Sequence, residues 1–234
     1  MDPSITALLG RLVVSCQAHD GNPLRGPDSM ARMAQAAIIG GAGGIRAEGV
    51  ADVRAIRAAV DAPIIGLIKT EQRDRDSVFI TPGWDEASAV RAAGADVIAL
   101  DGTPRPRPDG VPLGSLIRRI HDELGCPVMA DIDSHASAEY AIEQGCDLVG
   151  TTLAGYTAAR PATEGPDLEL VAEIATFASV PVVAEGRFWT REDAIAAIEA
   201  GASAVVVGTA ITNPMLTTAR FARAVAERSG AVAG

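Results

Sequence analysis

The feature that most constrains this chain is a rhythm. Eight short apolar runs recur along its 234 residues, at 12–16, 44–47, 64–69, 97–101, 128–131, 148–151, 182–185 and 204–207. Each is too short for a stable helix and most are rich in Val, Ile or Leu, so they read as strands buried on both faces. Ala-rich stretches with helical spacing follow them, at 30–39, 51–60, 85–93, 113–124, 136–144, 167–178, 191–200 and 216–228. Eight strands alternating with eight helices is the count of a closed (β/α)8 TIM barrel, whose usual length is about 250 residues. A doubly wound open sheet alternates too, but usually stops at about five or six strands, and it ranks second.

The junctions support the same reading. AAGADVIALD, EQGCDLVGTT and EAGASAVVVGT each carry a glycine suited to ending a helix, then a strand. Pro63, Pro127 and Pro181 stand just before strands, where a missing N–H is tolerated. No linker or shift of composition interrupts 1–234, which reads as one domain.

Composition narrows the function. Aromatics make up only 3% of a chain that is 48% hydrophobic, so core volume must come from Ala, Val, Ile and Leu. A net charge of −10 disfavours a non-specific nucleic-acid surface, although a local site rich in backbone N–H groups can still hold an anion. Cys16, Cys126 and Cys146 form no C-x-x-C pair and read as reduced thiols of a cytoplasmic protein. The start, MDPSITALLGRLVVSC, has no basic leader region, and no 18-residue apolar run predicts a membrane span.

Barrel enzymes place their sites at the C-terminal ends of the strands. Read that way, the runs close on Ser15-Cys16-Gln17, Ile45-Arg46, Ile68-Lys69, Leu100-Asp101, Ala130-Asp131, Gly150-Thr151-Thr152, Ala184-Glu185-Gly186-Arg187 and Val207-Gly208-Thr209. So many polar and ionisable groups converging on one mouth make a site hypothesis. Gly186, Arg187, Gly208 and Thr209 close strands seven and eight. There barrels often bind phosphate through backbone N–H groups and a short extra helix. Lys69 and Glu185 are the acid/base candidates: burial and Arg46 would lower the lysine, and an apolar setting would raise the glutamate. An unreactive Lys69–Glu185 or Lys69–Asp131 ion pair fits the spacing equally well.

Asp131, Asp133 and His135 make a D-x-D-x-H pattern, but a helix follows and Asp133 or Ser134 reads as its N-cap, so no metal is expected. His19 and His121 show no partners in sequence, and His121 reads as a surface residue. The polar stretches 70–84 and 157–165 follow strands and are candidates to cover a ligand, or plain surface loops.

In order along the chain stand LVVSCQA, GGAGGIRAEGV, PIIGLIK, VFITP, ADVIALDGTPRPRP, MADI, VGTTLAGYT, AEGRF and VVVGTAIT. Together they resemble the N-acetylmannosamine-6-phosphate 2-epimerases, the NanE family, over almost the whole chain. The resemblance implies a cytoplasmic barrel enzyme, a homodimer, that interconverts N-acetylmannosamine 6-phosphate and N-acetylglucosamine 6-phosphate without a cofactor. It makes Lys69 the base at C2 and Glu185 the acid. It makes Arg46 and Asp131 residues that position the substrate, and gives Gln17 a place in the pocket. The family usually carries arginine before the proline that follows strand eight, and here Asn213 stands there. An amide keeps a hydrogen-bonding group but loses the charge and the fork. A barrel enzyme for another phosphosugar, and a non-catalytic phosphosugar-binding protein, are the competing readings.

Overall fold

The computed structural model describes residues 1–70 and 77–229. Part of the 70–84 stretch, at 71–76, and the last five positions of the chain, which the sequence reading takes as one domain over 1–234, lie outside the described residues.

A short helix, α1 (Pro3–Leu8), precedes β1 (Leu12–Cys16). The chain then alternates: α2 (Pro27–Ile39), β2 (Gly44–Glu48), α3 (Val50–Ala59), β3 (Ile64–Leu67), α4 (Trp84–Ala92), β4 (Val97–Asp101) and α5 (Leu113–Arg119). It continues through β5 (Val128–Asp131), α6 (His135–Glu143), β6 (Leu148–Gly150), α7 (Leu168–Ala175), β7 (Val182–Glu185), α8 (Arg191–Glu199) and β8 (Ala204–Val207). Two helices follow, α9 (Thr209–Thr212) and α10 (Pro214–Ser229). All strands pair in parallel in chain order, and β8 pairs with β1 to close the barrel.

Strand side chains alternate between two cores, as a barrel requires. Val13, Ile65, Leu67, Val97, Ala99, Met129, Leu148, Val183 and Val206 fill the inside, and Ile5 and Leu8 of α1 join them to plug one end. Their neighbours, among them Val14, Ile45, Ile64, Ile98, Val128 and Val205, pack outward against the helices. Burying such side chains contributes roughly 1.5–3 kcal/mol each. No helix among the described residues is long and apolar enough to cross a membrane.

Three local outcomes differ from the sequence reading. The second strand runs on to Glu48, so Arg46 sits within it rather than at its end. β3 stops at Leu67, and Lys69 lies beyond it in an antiparallel bridge with Ile80. The 113–124 helix becomes α5 followed by a π turn at Ile120–Leu124, which ends at Gly125 with a left-handed φ of 58°. Neither α1 nor the short α9 shows a periodic apolar stretch long enough to be read from sequence.

Candidate active site

The inward parity that fills the barrel with Val and Leu carries polar groups at its open end. From β1 to β8 that face presents Ser15, Arg46, Asp131 and Glu185, with Gln17, Lys69, Thr152 and Gly208 just beyond strand ends. A cavity of about 490 Å³ opens there. Gln17, Arg46, Lys69, Glu185, Gly186, Arg187, Gly208, Thr209 and Asn213 all line it. Asp131 does not: it is fully buried one level deeper.

Arg46 is only 1% exposed, and a buried guanidinium needs partners. Its Nη1 and Nη2 donate to Asp131 Oδ1 and Oδ2 at 3.1 and 2.6 Å, a bidentate pair. Nη1 also lies 3.2 Å from Glu185 Oε2, while Nε has no hydrogen-bond partner among the described residues. The Thr152 hydroxyl donates to Asp131 Oδ1 at 2.6 Å and stands 3.2 Å from Glu185 Oε2. Asp131 therefore acts on the cavity through Arg46 and Thr152.

Lys69 makes neither of the ion pairs that sequence spacing allowed. Its Nζ donates to Gln17 Oε1 at 2.7 Å, and Gln17 Nε2 donates to Ser15 Oγ at 3.0 Å. Burial lowers the pKa of Lys69, and the charge of Arg46 lowers it further. Glu185 is pushed up to about 6, chiefly by burial, with Arg46 opposing. A lysine inclined to lose its proton and a glutamate inclined to keep one share a cavity, the arrangement acid–base catalysis needs. They hang from β3 and β7, four strands apart in a ring of eight and so on opposite walls.

The β7 and β8 ends supply backbone rather than charge. Gly186 has φ 113° and Arg187 has φ 58°, left-handed values that expose peptide groups at the turn. A Cβ on Gly208 would come within 3.3 Å of Ser15 Cβ, so the turn after β8 passes close to the end of β1. The Arg187 guanidinium is committed elsewhere, donating to Ala154 O at 2.7 Å, Gly165 O at 3.0 Å and Thr163 Oγ1 at 3.0 Å. It ties down the 154–165 loop. Asn213 Oδ1 accepts from Leu216 N–H at 3.1 Å and caps α10.

Other expectations resolve locally. Ser134 caps α6, and Asp133 accepts from Ser137 Oγ at 2.6 Å and Thr157 Oγ1 at 2.7 Å. His135 stacks on Phe177 at 4.6 Å. His121 does have a partner, Asp147, at 2.8 Å, and His19 lines the rim of the cavity. Burial pushes the Cys16 thiol up to about 12, which makes it a poor nucleophile.

Sequence reasoning placed Ser15 and Thr152 at strand ends without giving them a role in the site, and it overlooked Thr212 and an aromatic wall. Phe79, Tyr156, Phe188 and Trp189 all line the cavity, half of the eight aromatics in the chain. Each falls in or beside a motif already singled out, VFITP, LAGYT or AEGRF. Arg220 of α10 stacks on Trp189, with Cζ 4.5 Å from the ring centre.

Fold and mouth together define a (β/α)8 barrel with a polar cavity of enzyme type at the C-terminal ends of its strands. Residues 30–227 match the family model described as "Putative N-acetylmannosamine-6-phosphate epimerase" (NanE). A relative from Cutibacterium acnes, named "Putative N-acetylmannosamine-6-phosphate 2-epimerase", is 47% identical over 222 residues, covering 94% of this chain and 96% of its own. One of the same name from Caldanaerobacter subterraneus subsp. tengcongensis is 47% identical over 225 residues, covering 96% and 94%. The solved N-acetylmannosamine-6-phosphate 2-epimerase from Clostridium perfringens superposes with a TM-score of 0.90 at 38% identity, covering 95% of this chain and 96% of that one. The chain belongs to the NanE family of carbohydrate epimerases.

Proposed function

We propose that this protein interconverts N-acetylmannosamine 6-phosphate and N-acetylglucosamine 6-phosphate by taking and returning the proton at C2. The observation that carries the proposal is the pairing of Lys69 and Glu185 on opposite walls of one cavity, with the Arg46 charge acting on both. In the ring-opened sugar, the C1 aldehyde makes C2–H acidic. Neutral Lys69 takes that proton, and Arg46 steadies the negative oxygen that develops. Glu185 delivers a proton to the other face, and the configuration at C2 inverts. Solvent exchange then restores both groups. Charged Lys69 with ionised Glu185, and neutral Lys69 with protonated Glu185, carry the same net charge, so neither state upsets the balance around Arg46.

Gln17 holds Lys69 and meets the sugar, while Asp131 is a positioning residue that fixes Arg46. Asn213 offers its amide nitrogen to the substrate. Backbone N–H groups at Gly186, Arg187, Gly208 and Thr209 take the phosphate, at the turn that leads into α9. The reaction asks for no cofactor and no metal. Three buried free thiols support a cytoplasmic enzyme. An α10 without a buried residue, which exposes Phe221 at 70% and Val225 at 66% one turn apart, supports a homodimer.

Proton NMR of N-acetylmannosamine 6-phosphate with the protein in D₂O tests the assignment. Loss of the C2 proton signal with growth of the gluco epimer is expected. A folded protein that gives neither exchange nor product overturns it.

A further inference from the structure

The ladder between β3 and β4 is short, with only Ile65↔Val97 and Gly66↔Ile98 in register. Beyond it the strands part, and the chain returns through the gap. Thr70 N–H donates to Phe79 O at 2.9 Å and Thr81 N–H to Ile68 O at 2.7 Å on the β3 side. On the β4 side Asp101 N–H donates to Ile80 O at 2.9 Å. In an uninterrupted parallel ladder the Ile68 N–H would donate to the Ala99 carbonyl directly. Here Thr81 stands between them: Ile68 N–H donates to Thr81 Oγ1 at 3.1 Å, and that hydroxyl donates to Ala99 O at 2.7 Å.

Thr81 is fully buried and has φ 41°. A β-branched residue with positive φ is an outlier that persists only where the surroundings over-determine it. The surroundings do so. Arg107 Nη1 donates to Pro82 O at 3.1 Å, Arg105 Nη1 to Ser77 O at 2.9 Å, and Arg105 Nη2 to Asp101 Oδ2 at 2.7 Å. The segment is strapped to the end of β4 at both of its limits. What it displaces is the stretch Ile68–Lys69, whose amine then reaches Gln17 beyond β1, two strands away.

We propose that Thr81 is a positioning residue for Lys69, its hydroxyl holding β3 and β4 apart so that the lysine leaves the sheet and enters the cavity. The proposal rests on Lys69 being the base. Strain stored beside a reacting group is a known device of pre-organisation. The same wedge keeps Lys69 buried beside Arg46, the two influences that lower its pKa.

Thr81→Val keeps shape and branching but loses the hydroxyl, and Thr81→Ser keeps it. With N-acetylmannosamine 6-phosphate, Thr81→Val is expected to lower kcat by about tenfold to a hundredfold, the effect of a misplaced catalytic group, with KM changed less than about threefold. Thr81→Ser should stay within about threefold of the parent in kcat. In Thr81→Val the rise of kcat with pH that reports neutral Lys69 should move to higher pH. Equal losses in Val and Ser, parental kcat in Val, or a loss confined to KM each overturns the proposal. If Thr81→Val does not fold by circular dichroism, Thr81→Ala carries the same comparison. Lys69→Ala is measured alongside. If it turns over normally, the base assignment falls and the positioning role with it. If it is inactive while Thr81→Val is fully active, the positioning role alone falls.

Discussion

Glu185 is withdrawn from solvent, its side chain 13% exposed, with the Arg46 guanidinium 3.2 Å away. Its carboxyl titrates at about 6 in the folded protein, above the ~4.3 of an exposed glutamate. The folded state thus holds this proton more tightly than the unfolded chain. Its stabilising contribution is complete below the unfolded pKa and lost as pH rises through about 6. Glu185→Gln should therefore melt above the parent at about pH 7.5, with the gap closing near pH 5, since only the parent must ionise. Calorimetry at the two pH values checks this, and a gap independent of pH would assign the effect to packing. Lys69→Ala should lose C2 proton exchange by at least about a hundredfold, the scale of a removed general base. It should still bind N-acetylmannosamine 6-phosphate by calorimetric titration, because the phosphate contacts proposed above lie at the ends of β7 and β8. Lys69, Glu185 and Gln17 were legible in the sequence because each closes an apolar run, and closing a run places a residue at the mouth. Depth was not legible. Whether Asp131 lines the cavity or braces Arg46 beneath it depends on register between strands, and the direction of the Arg187 guanidinium depends on a loop folded far along the chain.

Asn213 shows how an element end can absorb a residue that sequence reading assigns to a ligand. Its Oδ1 begins α10, where Pro214 already occupies the first helical position. An arginine at 213 would gain a charge near the phosphate end but forfeit the cap, worth about 1 kcal/mol. Asn213→Arg should lower KM for the phosphosugar and also lower the melting temperature, whereas Asn213→Asp should keep the melting temperature and raise KM. Steady-state kinetics with thermal melts separates the two effects. An unchanged melting temperature in Asn213→Arg would show that the cap contributes nothing. Strands and long helices were readable to within a few residues because their periods repeat. The wedge at 77–82 was not, because it makes one bridge to Lys69 and a few hydrogen bonds to β4 and carries no period of its own. α9, with four residues, and α1, with six, were invisible for the same reason.

For the molecule as a whole, closure removes every strand edge, so the barrel presents helices to its surroundings. α10 is the exception to their good packing: Met215, Leu216, Phe221 and Val225 are between 46% and 70% exposed, and it buries none of its residues. A helix with that surface needs a partner to justify it. Phe221→Asp with Val225→Asp should convert the proposed dimer to a monomer in sedimentation velocity without altering the circular dichroism of the barrel. A parent that is itself monomeric would refute the dimer outright. The barrel count was the most legible property of all, since eight repeats of strand and helix admit few closures. The exposed face of α10 was not, because the helix has the composition of an ordinary amphipathic helix and only the fold reveals that it buries no residue among the described ones.

The aromatic wall has one more consequence, an optical one. The chain has two tryptophans, and they live apart: Trp84 lies under Arg119 at 3.7 Å on the outer helices, while Trp189 lines the cavity. An indole quenched or shielded by an arriving sugar phosphate changes its emission, and the other indole stays behind as an internal reference. The protein thus carries its own fluorescent gauge of occupancy, able to follow filling of the mouth in real time and without a label.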